Sequence, residues 1–174
     1  AGLSMEADYP SAGELAKILF EGLLIAEREG LQRDLLTVSD YYVNRHKKGR
    51  DELVLILKNI FKKKEQRSES HEIIQKMAFF KTIITTNYDE LFENHINGIQ
   101  IIKESKHLSR AKSNSRKLIK IHGDLNSPKK LILTQGDYSK LYNINHQDPF
   151  WGKINVELAE KGVLFIGYGF NDPN

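Results

Sequence analysis

The stretch Thr82-Ile83-Ile84-Thr85-Thr86-Asn87-Tyr88-Asp89 decides how this chain can fold. Its β-branched, apolar first half predicts a short strand, and its polar second half predicts a turn that leads into a helix. In parallel α/β folds, ligands bind outside the carboxyl ends of the strands. Thr86, Asn87 and Asp89 therefore stand where a substrate is expected.

Two later stretches repeat this pattern of an apolar run that ends in polar or glycine residues. Leu118-Ile119-Lys120-Ile121 runs into His122-Gly123-Asp124, and Val163-Leu164-Phe165-Ile166 runs into Gly167-Tyr168-Gly169. The second run is apolar throughout, as is typical of a strand that is buried in a parallel sheet. Strands that alternate with helices predict an α/β fold with a Rossmann-like parallel sheet flanked by helices.

Residues 31–80 show only helical patterns, and we expect them to form a helical insertion packed beside the sheet. The predicted helices of the insertion are 35–46, 51–63 and 69–80. The apolar stripe of the middle helix is typical of core packing rather than of a cofactor site. His46 and His71 lie on polar faces, so we expect both at the surface.

Other local patterns complete the predicted order of elements. Ser11 and Glu14 have the spacing of a capping box, which predicts a helix that begins there and ends near Gly30. This helix start, opened by a loop of small residues, is either an anion site or a plain capped helix. The remaining predicted elements are a helix over 88–97, a strand over 99–103, a polar loop to 115, a hairpin or loop over 124–134, and helices over 135–145 and 149–162.

The composition is that of a single soluble domain without cysteine. The 174 residues are 40% hydrophobic, and the absence of cysteine excludes disulfides and thiolate zinc sites and favours a cytoplasmic protein. No apolar run approaches the roughly 20 residues that cross a membrane, so we expect no membrane association. The net charge of +3 is too small to indicate nucleic-acid binding, and the basic run over 103–120 has no interleaved aromatic residues. We interpret this basic run as a solvated surface.

The two ends of the chain suggest truncation. Ala1-Gly2-Leu3-Ser4 reads as the middle of a motif, and Asp172-Pro173-Asn174 follows a strand and a turn without a closing helix. A Rossmann-type domain normally has a strand before such a motif. We therefore expect 1–174 to be one domain that is truncated at both ends and lacks its first strand.

The strand ends carry the residues with useful chemistry. His122 follows a strand directly, and a histidine is the usual general base near neutral pH. Asn87 can both donate and accept hydrogen bonds, whereas an ionised Asp89 only accepts them. Each motif also has a simpler interpretation, because Asn and Asp commonly cap helices and glycines commonly form turns. The combination of the motifs is more specific than any one of them.

Four landmarks occur in the order that is found in sirtuins: Ala1-Gly2-Leu3-Ser4, Thr85-Thr86-Asn87-Tyr88-Asp89, His122-Gly123 and Gly167-Tyr168-Gly169. The chain resembles a bacterial sirtuin-like (silent information regulator two-like) domain. In sirtuins the corresponding pieces are a GAGxS loop, a TQNID turn, an HG pair with the catalytic histidine and a GTS-type strand end. All of them line one NAD site.

The resemblance implies a role for each landmark. Asn87 would orient a water molecule or the ribose hydroxyls, Asp89 would hold the carboxamide of nicotinamide, and His122 would be the base at the ribose. Gly2 and Ser4 would approach the phosphates or a ribose, and Gly167 and Gly169 would flank the adenosine half. The full set of residues expected at the NAD molecule is Ala1, Gly2, Ser4, Thr86, Gly123, Gly167 and Gly169.

Two departures from the sirtuin pattern indicate which branch of the family the chain resembles. Deacylating sirtuins carry a four-cysteine zinc module after the histidine, whereas this chain has no cysteine and carries Leu133-Thr134-Gln135-Gly136-Asp137-Tyr138 there. That pattern resembles the NAD-cleaving sirtuin-like domains of bacterial anti-phage systems. The usual Pro-Asp-Phe-Arg of the first loop is replaced by Pro10-Ser11-Ala12-Gly13, so the usual geometry of the nicotinamide pocket is not expected.

The resulting hypothesis is an NAD+ hydrolase of anti-phage defence, with NAD+ as substrate and without zinc or another metal. Two other enzyme activities remain open, protein deacylation and ADP-ribosyl transfer, as does a non-catalytic module that binds NAD or ADP-ribose in regulation or assembly. Nucleic-acid binding through the basic run is a fourth alternative. By resemblance, the partners would be other domains of a longer parent and further copies of it, and the fragment alone is expected to be weakly active or inactive.

Overall fold

The computed structural model describes residues 2–45, 49–62, 67–112, 114–144 and 148–169. Within these residues, a parallel sheet contains the strands β1 (Thr82–Thr85), β2 (Gln100–Ile102) and β3 (Lys117–Lys120). The strand order is β1-β3-β2, and both pairings are parallel. The predicted α/β fold with a parallel sheet is therefore confirmed.

Helices surround this sheet, and among the described residues none is long and apolar enough to cross a membrane. Two short 3₁₀ helices, Gly2–Ala7 and Pro128–Lys130, lie in the connections. The α-helices are α1 (Ala12–Glu21), α2 (Ile25–Arg28), α3 (Leu35–Arg45), α4 (Gly49–Phe61), α5 (Glu69–Lys76), α6 (Leu91–His95), α7 (Ser105–Leu108), α8 (Gln135–Ile144) and α9 (Pro149–Glu160).

The central strand β3 sets the level at which the two neighbouring strand ends meet. Leu118 and Ile119 of β3 are buried, and Thr85 at the end of β1 pairs with Lys120 at the end of β3. The last backbone bond between the two strands runs from the Ile121 N–H to the Thr85 carbonyl oxygen, 3.0 Å away. Because both strands end at this point, the polar residues that follow them emerge side by side.

Most of the predicted helices are present within a few residues of their expected bounds. The predicted capping box is confirmed: the Glu14 N–H donates to Ser11 Oγ at 3.2 Å, and the Ser11 N–H donates to the Glu14 carboxylate at 2.8 Å. The helix that begins there ends at Glu21 rather than near Gly30, and α2 follows it as a separate helix. Other local details also differ. The helix after the opening stretch begins only at Leu91, the polar loop contains α7, and residues 124–134 form the loop alternative, with a 3₁₀ turn rather than a hairpin.

The helical insertion is part of the main core rather than a separate unit. The Tyr42 hydroxyl of α3 donates to the Leu19 carbonyl oxygen of α1 at 3.0 Å, so the insertion is joined to the helix that precedes it. Leucines of the loop after β3 enter the same core. Its buried members are Leu15, Leu19, Phe20, Leu23, Val38, Tyr42, Leu53, Val54, Leu57, Leu125, Leu131 and Leu133.

The prediction of a buried strand over Val163–Ile166 is wrong. These four side chains are between 45% and 64% exposed, and among the described residues the segment has no partner in the sheet. An apolar run becomes a buried strand only where a neighbouring strand satisfies its backbone N–H and C=O groups. Neither β1 nor β2, the two edge strands of the sheet, pairs with this segment, so the apolar run lies on the surface.

The core role of α4 predicts a sharp contrast between two leucines of the same helix. Leu57 is 0% exposed and Leu55 is 59% exposed. We expect Leu57→Ala to lower the free energy of unfolding by about 2 to 5 kcal/mol, since it removes buried methyl groups and leaves a cavity. Leu55→Ala is the control and should change it by less than about 0.5 kcal/mol. Urea unfolding followed by circular dichroism measures both, and equal effects would contradict the assignment of the buried face.

Candidate functional site

The turn after β1 is organised by the hydroxyl of Ser4. Asn87 Nδ2 donates a hydrogen bond to Ser4 Oγ, and Ser4 Oγ donates to Asp89 Oδ2, both at 2.7 Å. The Asn87 N–H donates to Thr85 Oγ1 at 3.1 Å, which fixes the turn to the strand end. Three of the residues predicted for the site therefore lie within one hydrogen-bonded chain, which joins the N-terminal loop to the turn after β1.

Asp89 also binds the first residue of the helix that follows. Its Oδ1 accepts a hydrogen bond from the Leu91 N–H at 3.1 Å, at the first residue of α6. The N-cap residue of α6 is Glu90, so Asp89 contacts the helix start from one position before the cap. Because the other carboxylate oxygen binds Ser4, Asp89 joins the N-terminal loop to the turn after β1.

The loop after β3 brings His122 to the same place. His122 is buried, and its ring meets the ring of Tyr138 edge to face at 5.4 Å. The His122 carbonyl oxygen accepts a hydrogen bond from the Ile132 N–H at 3.1 Å. Gly123 has φ +79°, and a Cβ there would lie 2.6 Å from the Lys130 carbonyl oxygen, so only glycine fits. The atoms that crowd Gly123 thus belong to the backbone of the same loop. The predicted contact between Gly123 and NAD stays a prediction.

A cleft opens in front of these side chains. It encloses about 570 Å³ of empty space, including the part that is open to solvent. Ser4, Thr86, Asn87, Asp89 and His122 all line it. The structure therefore brings together the residues predicted from three separate stretches of sequence.

The insertion supplies an apolar wall of this cleft. Leu35 of α3 and Phe61 of α4 line it together with Tyr9, Tyr88 and Tyr138. The Phe61 ring stacks on Tyr9, with centroids 5.3 Å apart, and meets Tyr88 edge to face at 6.3 Å. Sequence reasoning did not assign these aromatic residues to the site, because nothing in the pattern shows which face of a helix meets a distant loop.

The two predicted glycine turns touch one another. A Cβ on Gly2 would lie 2.5 Å from the Gly167 carbonyl oxygen, and Gly167 itself has φ +60°. The backbones of the N-terminal loop and of the turn after Ile166 are therefore packed together without room for a side chain. Gly169 is exposed two residues further on, and Ala1 lies outside the described residues.

A buried group of charges lies behind the cleft, and sequence reasoning missed it. Lys120 at the end of β3 contacts the carboxylates of Glu93 and Asp124, and Lys103 contacts Asp124 at 2.9 Å. Burial would raise the pKa of Asp124, but the two lysines and the Asn126 N–H outweigh this effect and hold the pKa below its usual value. The available signal was Lys120 within the otherwise apolar run of residues 118–121.

The prediction that His71 lies at the surface is wrong. Its side chain is buried, its Nδ1 lies 2.6 Å from Ser68 Oγ, and its ring packs on Phe92 at 4.4 Å. Burial is the main reason that the pKa of His71 falls to about 4, although the nearby Asp89 charge opposes the shift. The polar neighbours in sequence concealed a face of α5 that packs against α6. His46, the other histidine expected at the surface, lies outside the described residues.

Glu6 links this helix to the loop that carries Ser4. Its carboxylate accepts hydrogen bonds from the backbone N–H groups of Glu69 and Ser70, at 2.9 and 3.1 Å, and from Ser68 Oγ. These are the N–H groups that have no partner within the first turn of a helix. The N-terminal loop is thus held from the insertion side as well as from β1.

Within the described part of the chain, no three His, Asp or Glu side chains gather as a metal ion would require.

Comparison with known proteins identifies a family to which the sequence matches and several relatives that share one name. The sequence matches the SIR2-like domain family over residues 81–174. The NAD(+) hydrolase ThsA of Bacillus cereus (strain MSX-D12) is 33% identical over 183 residues, covering 100% of this chain and 37% of the relative. NAD(+) hydrolase ThsA of Acinetobacter baumannii (strain 532279) is 34% identical over 180 residues, with coverages of 100% and 36%. NAD(+) hydrolase ThsA of Enterococcus faecium is 31% identical over 179 residues, with coverages of 100% and 37%.

The chain therefore spans little more than a third of the length of these curated relatives, whereas its own length is covered completely.

The lowered pKa of His71 predicts how stability depends on pH. Below pH 6.5 the unfolded chain binds a proton at this histidine, whereas the folded chain does so only near pH 4. We expect the contribution of His71 to stability to be complete above pH 6.5 and to be lost as the pH falls from 6.5 towards 4. Urea unfolding between pH 7 and pH 5 should therefore show a smaller loss of stability in His71→Leu than in the parent.

The partly buried His107 offers a control for this measurement, because its ring is more exposed than that of His71, and Glu104 opposes the lowering of its pKa by burial. His107→Leu should leave most of the pH dependence in place. A His71→Leu protein with the same pH dependence as the parent would contradict the assignment.

Proposed function

Since the chain belongs to the SIR2-like domain family, we propose that its cleft cleaves the bond between nicotinamide and ribose in NAD+ and transfers the ribose to water. One observation carries the proposal: Asn87 and His122, from the ends of two paired parallel strands, line one cleft together with Ser4. The relatives named NAD(+) hydrolase support the choice of substrate.

The reaction needs a group that orients the attacking water and a group that accepts its proton. Nicotinamide leaves with the bonding electron pair, so the ribose carbon develops positive charge before water attacks it. The hydrogen bond from Asn87 Nδ2 to Ser4 sets the orientation of the amide, whose oxygen can accept a bond from water or a ribose hydroxyl. His122 takes the proton from the attacking water. The products are nicotinamide, ADP-ribose and a proton.

Asp89 fits this scheme as the residue that holds Ser4 and Asn87 in place. Both of its carboxylate oxygens already accept hydrogen bonds, from Ser4 and from the Leu91 N–H. A direct bond to the carboxamide would have to be added to these two. That part of the resemblance stays a prediction.

The aromatic wall is suited to the nicotinamide ring. The first loop lacks the Phe and Arg of the sirtuin pattern, and the ring of Phe61, from the insertion, stands in the cleft against Tyr9. Aromatic faces bind flat and positively charged rings through stacking and cation–π attraction. We assign the nicotinamide end of the substrate to this wall.

The biological setting is also part of the proposal. The relatives are almost three times as long as this chain, which is consistent with a parent that carries further domains. A role in anti-phage defence and self-association of the parent stay predictions from resemblance, and a cytoplasmic location stays a prediction from the absence of cysteine.

Removal of the proposed base tests the reaction directly. In the full-length protein we expect His122→Ala to slow nicotinamide release from NAD+ by about 10² to 10⁴-fold, as general-base removal does elsewhere. Asn87→Ala should slow it in the same direction. His107→Ala, outside the cleft, is the control and should keep the parent rate. A folded His122→Ala protein as active as the parent would overturn the mechanism, and consumption of an acyl-lysine peptide with NAD+ would favour deacylation.

The aromatic wall has its own prediction. We expect Phe61→Leu to raise KM for NAD+ by about three- to tenfold, the equivalent of one lost aromatic contact, with kcat changed by less than about threefold. Inhibition by free nicotinamide should weaken in parallel. Phe79→Leu is the matched control because Phe79 is exposed. Unchanged KM and unchanged nicotinamide inhibition in Phe61→Leu would remove the wall from the substrate site.

A further inference from the structure

A lysine is fully buried at the end of the central strand, immediately behind the proposed site. The Lys120 side chain is 0% exposed, and it precedes His122 by two residues. Burial of an ammonium group is costly unless every proton has a partner. The partners of this group therefore indicate what the burial achieves.

The Lys120 ammonium joins segments that follow different strands. Its Nζ donates to the Asp89 carbonyl oxygen at 2.6 Å and to Glu93 Oε1 at 2.8 Å, and it lies 3.3 Å from Asp124 Oδ2. Asp89 and Glu93 belong to the turn and helix after β1, whereas Asp124 belongs to the loop after β3. An ammonium has three protons, and three oxygens surround this one.

The charges of the cluster are balanced. Lys103 contacts the same Asp124 oxygen at 2.9 Å, so two lysines face the carboxylates of Glu93 and Asp124. The other oxygen of Asp124 accepts a hydrogen bond from the Asn126 N–H at 2.7 Å. The cluster is thus a satisfied network rather than a single surface ion pair, and its geometry is correspondingly well defined.

This network begins where the sheet stops holding the two loops. The last backbone bond between β1 and β3 is that of the Ile121 N–H with the Thr85 carbonyl oxygen, and the structure records none between residues 86–90 and 122–126, all of which it describes. A side-chain bond from Asn126 to Glu90 also joins the loops, but it is exposed to water. The Lys120 ammonium is a buried link between them.

We propose that Lys120 is a positioning residue for the NAD-cleaving site, because it fixes the turn with Asn87 and Asp89 against the loop with His122. The Asp89 backbone is held by Lys120, its carboxylate holds Ser4, and Ser4 holds the Asn87 amide. His122 follows Lys120 on the same chain. The inference rests on the proposed function, since it concerns the geometry of that reaction.

A charge-balanced variant tests the inference. Removal of the lysine alone would leave buried carboxylates uncompensated, whereas Lys120→Met/Glu93→Gln removes one positive and one negative charge together. In the full-length protein we expect kcat for nicotinamide release to fall by about 30- to 100-fold, since small displacements of reacting groups are costly, and KM for NAD+ to change by less than about threefold. Circular dichroism and thermal unfolding establish that the variant is folded.

A control uses a partly buried ion pair at the opposite end of the sheet. Glu157 of α9 is buried, pairs with Lys153 at 2.6 Å, and accepts a hydrogen bond from Thr82 Oγ1 at 2.8 Å, at the start of β1. Lys153→Met/Glu157→Gln should lower stability while kcat stays within about twofold of the parent, because distant, independent sites do not couple. Loss of kcat in this control to the same degree would show that any buried pair has the effect, and would overturn the positioning role.

A second variant, Lys103→Met/Asp124→Asn, removes the other lysine and the other carboxylate of the network. It provides the test if the first variant does not fold. The expected result is the same fall in kcat with little change in KM. A folded variant of either kind with the kcat of the parent would overturn the proposal.

Amide hydrogen exchange separates failure of this inference from failure of the proposed function. In a folded Lys120→Met/Glu93→Gln protein, exchange should become faster at residues 86–90 and 122–126, and in the control variant it should not. This readout does not depend on turnover. If the parent releases no nicotinamide, the proposed function fails, and faster exchange still supports the link made by Lys120, whereas unchanged exchange excludes it.

Discussion

The parallel pairing of β1 with β3 is the constraint on which the site depends. Thr85 pairs with Lys120, so Asn87 and His122 each lie two residues beyond the same rung of the sheet. A slip of one residue would move one of them by about 3.3 Å along the strand and turn its neighbours to the opposite face. The site therefore has its geometry only in this register, and the buried Leu118 and Ile119 of β3 hold the register because they fit the core in one way.

The helical insertion completes what the sheet begins. Arg50 at the start of α4 forms an ion pair with Asp137 at 2.8 Å and also binds the Leu131 carbonyl oxygen. Asp137 in turn accepts the backbone N–H groups of Leu133 and Thr134. These bonds fix the first turn of α8, and the next residue, Tyr138, meets the His122 ring. The insertion thus acts on the histidine by holding its neighbour, besides lending Phe61 to the cleft wall.

The sequence predicted those parts of the fold that depend on local chemistry. The strand ends at Thr85 and the capping box at Ser11 follow from residue types a few positions apart, and both are present. Burial that depends on distant partners was not predictable in this way. His71 and Lys120 have polar character and would normally lie in water, but other elements cover them. Val163–Ile166 has the composition of a core strand and is exposed, because composition does not supply a neighbouring strand.

The electrostatic character of the cleft follows from how Asp89 is held. Its carboxylate accepts bonds from neutral donors, the Ser4 hydroxyl and the Leu91 N–H, while the Lys120 ammonium binds its carbonyl oxygen. The ammonium also faces Glu93 and Asp124, whose charges compensate it together with that of Lys103. Among the residues that the structure describes, no cation contacts the Asp89 carboxylate. In the proposed cleavage, positive charge develops on the ribose as nicotinamide leaves, and a fixed negative group at the cleft stabilises that charge in the transition state. Because the lysine binds the backbone of Asp89 rather than its carboxylate, it holds the turn in place without pairing with the charge of that carboxylate.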